Sequence, residues 1–181
     1  DHNIKTKEYK VIFESQYSEA AVQGTMANEN WVIWTDSDIK SYYNNIYALK
    51  RASNKVSKII EYEAQEGGYM IVAPYLSGNY ISWLEFKEIN VAKVMLCDLQ
   101  TGEMKEIGNL NEPSFYNTFV FIDDNRVLWT DSLDGKGYYI LYDINTAQTQ
   151  WIEAPYRYTK KKKMTNGLIY SINFEDYQDW T

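Results

Sequence analysis

One segment recurs three times along the chain and limits its possible folds more than any other feature. It reads IYALKRASNKVSKI at 46–59, VMLCDLQTGEMKEI at 94–107 and YILYDINTAQTQWI at 139–152. A short run with a central tryptophan precedes each copy: WVIWTDSD at 31–38, YISWLEFKE at 80–88 and RVLWTDSLD at 126–134. A partial copy, GLIYSINFED, follows at 167–176. Repeats of about 40–50 residues built from strands are typical of propeller blades.

Each unit is predicted to contain four antiparallel strands in meander order. The first strands are predicted at 20–27, 69–75 and 117–122, and the second strands carry the tryptophan. The third strand is apolar on both faces, as expected for a strand between two neighbouring sheets. It leads into a tight turn in which Asn54 and Gly102 suit a positive φ, whereas Ala147 suits it poorly and predicts a different turn. We expect Trp34, Trp83 and Trp129 to lie in equivalent positions between sheets.

The repeat predicts an all-β chain, a β-propeller of four-stranded antiparallel blades. Whole blades are predicted at about 18–64, 68–110 and 115–154, a partial blade at 157–181 and an N-terminal outer strand at 9–14. The N-terminal strand and the partial blade could together close a four-blade ring, with β-strand edges paired. A segment of a larger propeller fits the same count, and we favour it. Open blade edges would then permit self-association.

Composition narrows the possible functions. The chain has 181 residues and a formal net charge of −7, so it lacks the overall basic charge of nucleic-acid-binding domains. It has one cysteine, Cys97, and one histidine, His2, which excludes an internal disulfide and a zinc site of cysteine and histidine ligands. No apolar run approaches the roughly 18 residues of a membrane-spanning helix. We predict no cofactor, no metal and no catalytic residues.

One unit carries the motif of a known family. Residues 122–135, IDDNRVLWTDSLDG, continued by YILYD at 139–143, resemble the repeat of TolB-like propellers, and the similarity extends over 18–154 and weakly over 157–176. The Ser-Pro-Asp-Gly turn of that family is replaced by Asp-Asp-Asn at 123–125. WD40-like propellers are less similar. The resemblance implies a propeller used as a binding scaffold, often outside the cytoplasm, and the first residues, DHNIKTKEYK, suggest a start after a removed leader or inside a longer protein.

Other motifs have simpler explanations. Residues 132–139 approach the Asp-box of sialidase-type propellers, but Lys136 stands where that box has glycine. Asp131 and Asp134 are too few for a calcium loop, which needs several oxygen ligands. Adjacent carboxylates such as 123/124 and 36/38 are common in turns and do not by themselves indicate glycosidic chemistry. The lysines at 160–163 could contact phosphate or anionic lipid, although a solvated connection or strand edge explains them more simply.

The predicted functional surface is one end of the propeller, which we call the loop face. It combines the connections after the tryptophan strands (37–44, 86–90 and 132–137) with those between blades (63–68, 110–116 and 154–158). Loops on a rigid scaffold commonly carry binding sites. Tyrosine offers a flat apolar ring and a hydroxyl, which suits contact with peptides or sugars. The candidate ligand-binding residues are Tyr42, Tyr43, Phe115, Tyr116, Tyr156, Arg157 and Tyr158.

Two functions of different classes follow. The first is a non-catalytic binding module for a protein or peptide, with carbohydrate as a second ligand class and an extracytoplasmic location. The second is the propeller portion of a larger hydrolase, either a peptidase of the prolyl-oligopeptidase type or a glycan hydrolase. A Gly-x-Ser-x-Gly segment elsewhere in a longer polypeptide would favour the peptidase.

Overall fold

The structure is a computed structural model that describes residues 2–3, 7–38, 44–62, 70–88, 91–112, 119–154, 161–165 and 168–172. All regular structure within these ranges is β-strand. The strands are β1 His2–Asn3, β2 Glu8–Tyr9, β3 Ala20–Ala27, β4 Trp31–Asp38, β5 Asn44–Lys50, β6 Lys55–Tyr62, β7 Met70–Ser77, β8 Tyr80–Glu88, β9 Val91–Asp98, β10 Met104–Asn109, β11 Val120–Asp123, β12 Arg126–Leu133, β13 Lys136–Asp143, β14 Gln148–Glu153, β15 Lys161–Thr165 and β16 Leu168–Ile172.

Twelve of these strands form three antiparallel sheets of four, each in meander order. Blade 1 is β3–β6, blade 2 is β7–β10 and blade 3 is β11–β14. Strands β15 and β16 pair as the start of a fourth unit, and β1 pairs with β2. The first strands β3, β7, β11 and β15 contact one another in succession, so they line the inner side of the array. The predicted β-propeller architecture is therefore confirmed.

The three blades pack through apolar side chains on both faces of their middle strands. Trp34, Trp83 and Trp129 retain 3%, 0% and 2% of their exposure, at equivalent positions of β4, β8 and β12. Trp83 shares a cluster with Ile33 and Ile46 of blade 1, and Trp129 shares one with residues of blade 2. Apolar burial of this kind is the main favourable term in folding. The predicted position between two sheets is therefore confirmed for Trp83 and Trp129, whereas Trp34 at the equivalent position of β4 packs against Phe13.

The turn after the third strand is the same in blades 2 and 3, contrary to prediction. Ala147 has φ 55° and Gly102 has φ 79°. In both turns the amide of this residue donates to the carbonyl of the strand-ending aspartate, Asp143 or Asp98, at 2.9 and 2.8 Å. The carboxylates of these aspartates also accept amides within the turn, from Asn145 and Thr146 in one case and from Gln100 and Thr101 in the other. The aspartate therefore fixes the turn, and alanine is held in a left-handed conformation.

The β12–β13 connection is shorter than the predicted loop at 132–137. Leu133 pairs with Lys136, which leaves only Asp134 and Gly135 in the turn. Their φ values are 51° and 77°, and two consecutive positive φ values are typical of a two-residue hairpin turn in which Asp-Gly is favoured. The sequence at 132–137 is therefore mainly strand.

The predicted outer strand at 9–14 is wrong beyond its first residue. Strand β2 ends at Tyr9 and pairs with β1, and residues 10–14 belong to no strand. Ile12 and Phe13 instead pack against the open side of blade 1. The Phe13 ring lies 5.2 Å from the Trp34 ring and 4.7 Å from the Tyr47 ring, measured between centroids. The amphipathic run that suggested a strand is explained by this packing, because it covers the tryptophan that a preceding blade covers elsewhere.

Candidate functional site

The seven predicted ligand-binding residues all lie outside the described residues. They fall in 39–43, 113–118 and 155–160. The strands on either side fix where these three segments start and end. Each blade is an antiparallel meander, so the connection from the second to the third strand and the connection to the next blade leave from the same end. The strand order therefore places both sets of connections that define the loop face at the same end of the blades.

A buried carboxylate anchors one of these connections. Asp131, near the end of β12, is 5% exposed. Its Oδ2 accepts hydrogen bonds from the backbone amide and the side-chain amide of Asn111, both at 2.7 Å. Its Oδ1 accepts the amides of Glu112, at 3.1 Å, and Ser132, at 2.8 Å. Asn111 and Glu112 are the last described residues before the 113–118 connection, so blade 3 holds the start of that connection with three hydrogen bonds.

Blade 1 has an aspartate at the same place. Asp36 follows Trp34 by two residues, as Asp131 follows Trp129, and it is fully buried. Its Oδ2 accepts a hydrogen bond of 3.0 Å from the Ser15 hydroxyl, which fixes the segment that leads into blade 1. Asn45, its cross-strand partner, donates to the Asp36 carbonyl at 3.3 Å and to the Tyr17 hydroxyl at 2.9 Å. Both carboxylates therefore bind the chain that leads into their own blade.

Blade 2 carries the longer Glu85 at the equivalent position. Glu85 is 8% exposed and lies opposite Lys93 in the sheet. A buried carboxylate two residues after the tryptophan is thus common to all three blades. The sequence contained the signal, since WTD, WLE and WTD recur in register. Asp36 and Asp131 were interpreted from the sequence as turn residues or potential ligands, and the structural role of the three acids was missed.

The burial of Asp36 alters the pKa of its carboxyl group. Burial raises the pKa of Asp36 above the ordinary carboxyl value of 3.8, and Asp38 adds to this rise. The hydroxyl of Ser15 and the positive charge of Lys58 act in the opposite direction and are outweighed. Desolvation disfavours the charged form of a carboxyl group. The folded chain therefore retains a proton on Asp36 to higher pH than an exposed aspartate would.

Other chemically versatile groups in the described part of the chain are structural. Cys97 is 1% exposed, and burial together with the neighbouring Asp98 raises its pKa to about 11. Such a thiol is not activated as a nucleophile. Within the described ranges, no three His, Cys, Asp or Glu side chains cluster in a way that could hold a metal ion. Asp134 is an exposed turn residue, while Asp131 is occupied by the four donors above.

The lysine run at 160–163 lies mostly within a strand. Lys161–Thr165 form β15, so most of the 160–163 run belongs to an inner strand paired with β16 and not to a connection. Among the residues that the structure describes, no helix has the length and apolar character needed to cross a membrane.

Comparison with known proteins supports the fold. No protein-family model and no curated protein matches the sequence. Among solved structures, the β-propeller domain of the Trilobed protease from Pyrococcus furiosus, described as having an open velcro topology, is similar with a TM-score of 0.59 and 14% identity over 87% of this chain and 58% of that one. Oligogalacturonate lyase in complex with manganese gives a TM-score of 0.62 and 10% identity, covering 85% and 47%.

A third similar structure comes from a nidogen/laminin complex, with a TM-score of 0.50 and 12% identity over 80% of this chain and 52% of the other. At these identities the likeness shows the β-propeller fold alone. The chain spans 47% to 58% of the three proteins it resembles. The TolB-like resemblance is accordingly supported as to propeller fold, while the specific repeat family has no support from a family model.

Proposed function

We propose that this chain is a non-catalytic β-propeller module that binds a protein or peptide through its loop face. The observation that carries the proposal is the hydrogen bonding of Asp131 to Asn111 and Glu112. This arrangement fixes one end of the connection that contains Phe115 and Tyr116. Binding surfaces gain affinity when the segments that present them are held in place before binding.

The sequence of the loop face fits a protein or peptide ligand. Its connections contain tyrosine, phenylalanine and arginine, which are enriched among the residues that dominate binding energy at protein interfaces. Carbohydrate is the second ligand class, because sugars also stack on tyrosine rings. The propeller in the nidogen/laminin complex belongs to a protein assembly, which is consistent with this use of the fold. An extracytoplasmic location forms part of the proposal.

The test is capture of a partner from an extract of the source cells by the wild-type chain and by Tyr116→Ala/Tyr156→Ala. We expect the double variant to remain folded by circular dichroism and to lose capture, since an aromatic anchor commonly contributes about 2 kcal/mol or more. Trp151→Ala is the matched control, because Trp151 is a 46% exposed aromatic in the outer strand β14. Unchanged capture by a folded double variant would refute binding through these tyrosines, and unfolding would assign them to packing.

The alternative is that the module is the propeller portion of a larger hydrolase. It is favoured by the similarity to the propeller domain of a protease. Sequencing the full-length transcript would decide between the two: a Gly-x-Ser-x-Gly segment with later aspartate and histidine supports a peptidase. Further blades alone support the binding module. Hydrolytic turnover by residues 1–181 in isolation would contradict both forms of the proposal.

A further inference from the structure

Two buried oxygen atoms on neighbouring side chains of blade 1 lack a hydrogen-bond donor. Asp36 of β4 and Asn45 of β5 are directly opposite in the sheet, and both residues are fully buried. Opposite residues of an antiparallel pair present their side chains on the same face, with Cβ atoms about 4.5–5.5 Å apart. Among the described residues, neither Asp36 Oδ1 nor Asn45 Oδ1 has a hydrogen-bond partner. A buried acceptor without a donor is costly, so the pair requires an explanation.

The other polar atoms of these two side chains are engaged. Asn45 Nδ2 donates to the Tyr17 hydroxyl at 2.9 Å and to the Asp36 carbonyl at 3.3 Å, which brings its amide group against Asp36. Asp36 Oδ2 accepts the Ser15 hydroxyl at 3.0 Å. The remaining oxygens, one on each side chain, are both acceptors when the carboxyl group is ionised. A single proton on Asp36 Oδ1 would turn one acceptor into a donor and would pair the two atoms.

The surroundings of Asp36 favour a bound proton. Burial is the largest influence on its pKa and raises it, and Asp38 of the same strand adds to the rise. The Ser15 hydroxyl and the ammonium group of Lys58 on β6 lower the pKa and are outweighed. Lys58 also forms an ion pair with Glu61 at 2.8 Å. Strand β3, which pairs with β4 on its other side, has no titratable residue. The remaining titratable groups near the pair are two phenols, those of Tyr17 and Tyr47.

One segment covers the face of blade 1 that carries this pair, and we call residues 10–17 the strap. Its apolar residues, Ile12 and Phe13, pack on a cluster that contains Trp34. Trp34 precedes Asp36 by two residues and so lies on the same face of β4. Further along the strap, the hydroxyls of residues 15 and 17 bond to Asp36 and Asn45 as described above. The strap therefore covers the tryptophan and the polar pair together, while its charged residues are exposed: Lys10 and Glu14.

Loss of the proton would leave an ionised carboxylate away from water. A buried carboxylate is stable only when donors satisfy it, and no described residue donates to Oδ1 of Asp36. The opposite face of β4 and β5 packs on blade 2 through Ile33 and Ile46. Water therefore reaches the carboxylate most directly on the side where the strap lies.

We propose that the folded chain keeps Asp36 protonated, with Oδ1 donating to Asn45 Oδ1, and that loss of this proton to solvent releases the strap from blade 1. The bound proton stabilises the docked strap at pH below the ordinary carboxyl value of 3.8. This contribution is lost as pH rises through the raised pKa of the folded chain, so the strap is docked at low pH and released at higher pH. The device lies on blade 1 and does not depend on the proposed function.

The test is an NMR titration of the whole chain with carbon-13 in its aspartate and aromatic residues. The chemical shift of the Asp36 carboxyl carbon reports the proton, and the nuclear Overhauser effect between the Phe13 and Trp34 rings reports the docked strap. We expect the carboxyl group to titrate above 3.8 and the Overhauser effect to disappear over the same pH range. Asp36→Asn should keep the Overhauser effect throughout, because its amide group can donate to Asn45 and accept from Ser15 without titrating.

Glu85→Gln is the matched control, because it neutralises the equivalent buried carboxyl group of blade 2 and should leave both readouts unchanged. Titration of Asp36 at or below 3.8 would overturn the proposal. It would indicate that the Asn45 amide is turned, with its nitrogen serving an ionised Asp36. An Overhauser effect that persists through the Asp36 titration would refute the release of the strap. Its loss with rising pH in a folded Asp36→Asn variant would do the same, since another group would then cause the release.

Discussion

Replacing Gly108 with alanine should strain the contact between blades 2 and 3. Gly108 lies in β10 directly beneath the Trp129 indole. A Cβ atom added there would lie 2.6 Å from Cζ2 of Trp129, 3.2 Å from Cη2 and 3.3 Å from Cε2. Ordinary contacts between such carbons are about 3.5–4.0 Å, so one side must move by about 1 Å. Trp129 is 2% exposed and packs among buried side chains of blades 2 and 3.

The expected magnitude is the difference of two terms. Overpacking in a well-filled core costs about 1–3 kcal/mol. Alanine recovers about 0.5–1 kcal/mol relative to glycine within a strand, because glycine loses more freedom on folding. We therefore expect Gly108→Ala to lower the free energy of unfolding by about 1 kcal/mol, the difference of the central values of these two terms. Urea denaturation followed by circular dichroism would measure the loss.

Trp129→Phe supplies the control for this reasoning. Phenylalanine lacks the indole atoms that the new Cβ would meet, so Gly108→Ala should cost little or nothing in that background. A double-mutant cycle separates this coupling from the general cost of the smaller ring. The same loss in both backgrounds would show that the strain does not arise from the indole. No loss in the wild-type background would show that the two blades can separate slightly without penalty.

Three further outcomes are expected. Ala147→Gly should raise the free energy of unfolding by about 0.5–1 kcal/mol in a urea titration, because glycine removes the strain of a left-handed alanine. Gly102→Ala in the equivalent turn should lower the free energy of unfolding. Equal stability of the two variants would contradict the strain at this turn position. Asp131→Asn should speed hydrogen exchange at Asn111 and Glu112, since an amide has one acceptor oxygen in place of two, while exchange within β9 stays slow; unchanged rates would deny the anchoring role. Burial raises the pKa of Asp36 in the folded state, so the folded chain holds a proton that the unfolded chain loses first. The stability of the wild type relative to Asp36→Asn should therefore fall as pH rises from about 3.8 through the folded pKa, and denaturation at several pH values would measure it. A difference in stability that stays constant with pH would contradict the shift.

The sequence predicted the blades well because each strand is repeated in three contexts. The first strand of blade 1 was predicted at 20–27 and is Ala20–Ala27, and the tryptophans lie where the repeat placed them. The spacing of apolar residues and the turn residues indicate strands and hairpins from short stretches of sequence. In these sheets each strand also pairs with its neighbour along the chain, so short-range signals suffice to predict the pairing. The repeat therefore supplied the long-range information that a single sequence usually lacks.

Other features could not be predicted because their causes are tertiary. The apolar Ile12 and Phe13 fit an outer strand as well as they fit a cover for Trp34, and periodicity does not distinguish the two. Ala147 adopts its φ because Asp143 and the strand register determine the turn. Asp131 was indistinguishable from a turn aspartate until the amides of Asn111 and Glu112 were seen to converge on it. The aromatic loop face stays a prediction.

The meander order of the sheets has a mechanical consequence. Within the described part of each blade every strand pairs only with its neighbours along the chain, and successive blades are joined by side-chain packing and by isolated hydrogen bonds such as that from Trp31 Nε1 to Asn79 Oδ1. Tension applied to the two ends of the chain would therefore break the hydrogen bonds between neighbouring strands one after another. It would not stretch all the hydrogen bonds of a strand pair at the same time. Such a chain should lengthen under small forces in steps of one blade, each step releasing about the length of its repeat.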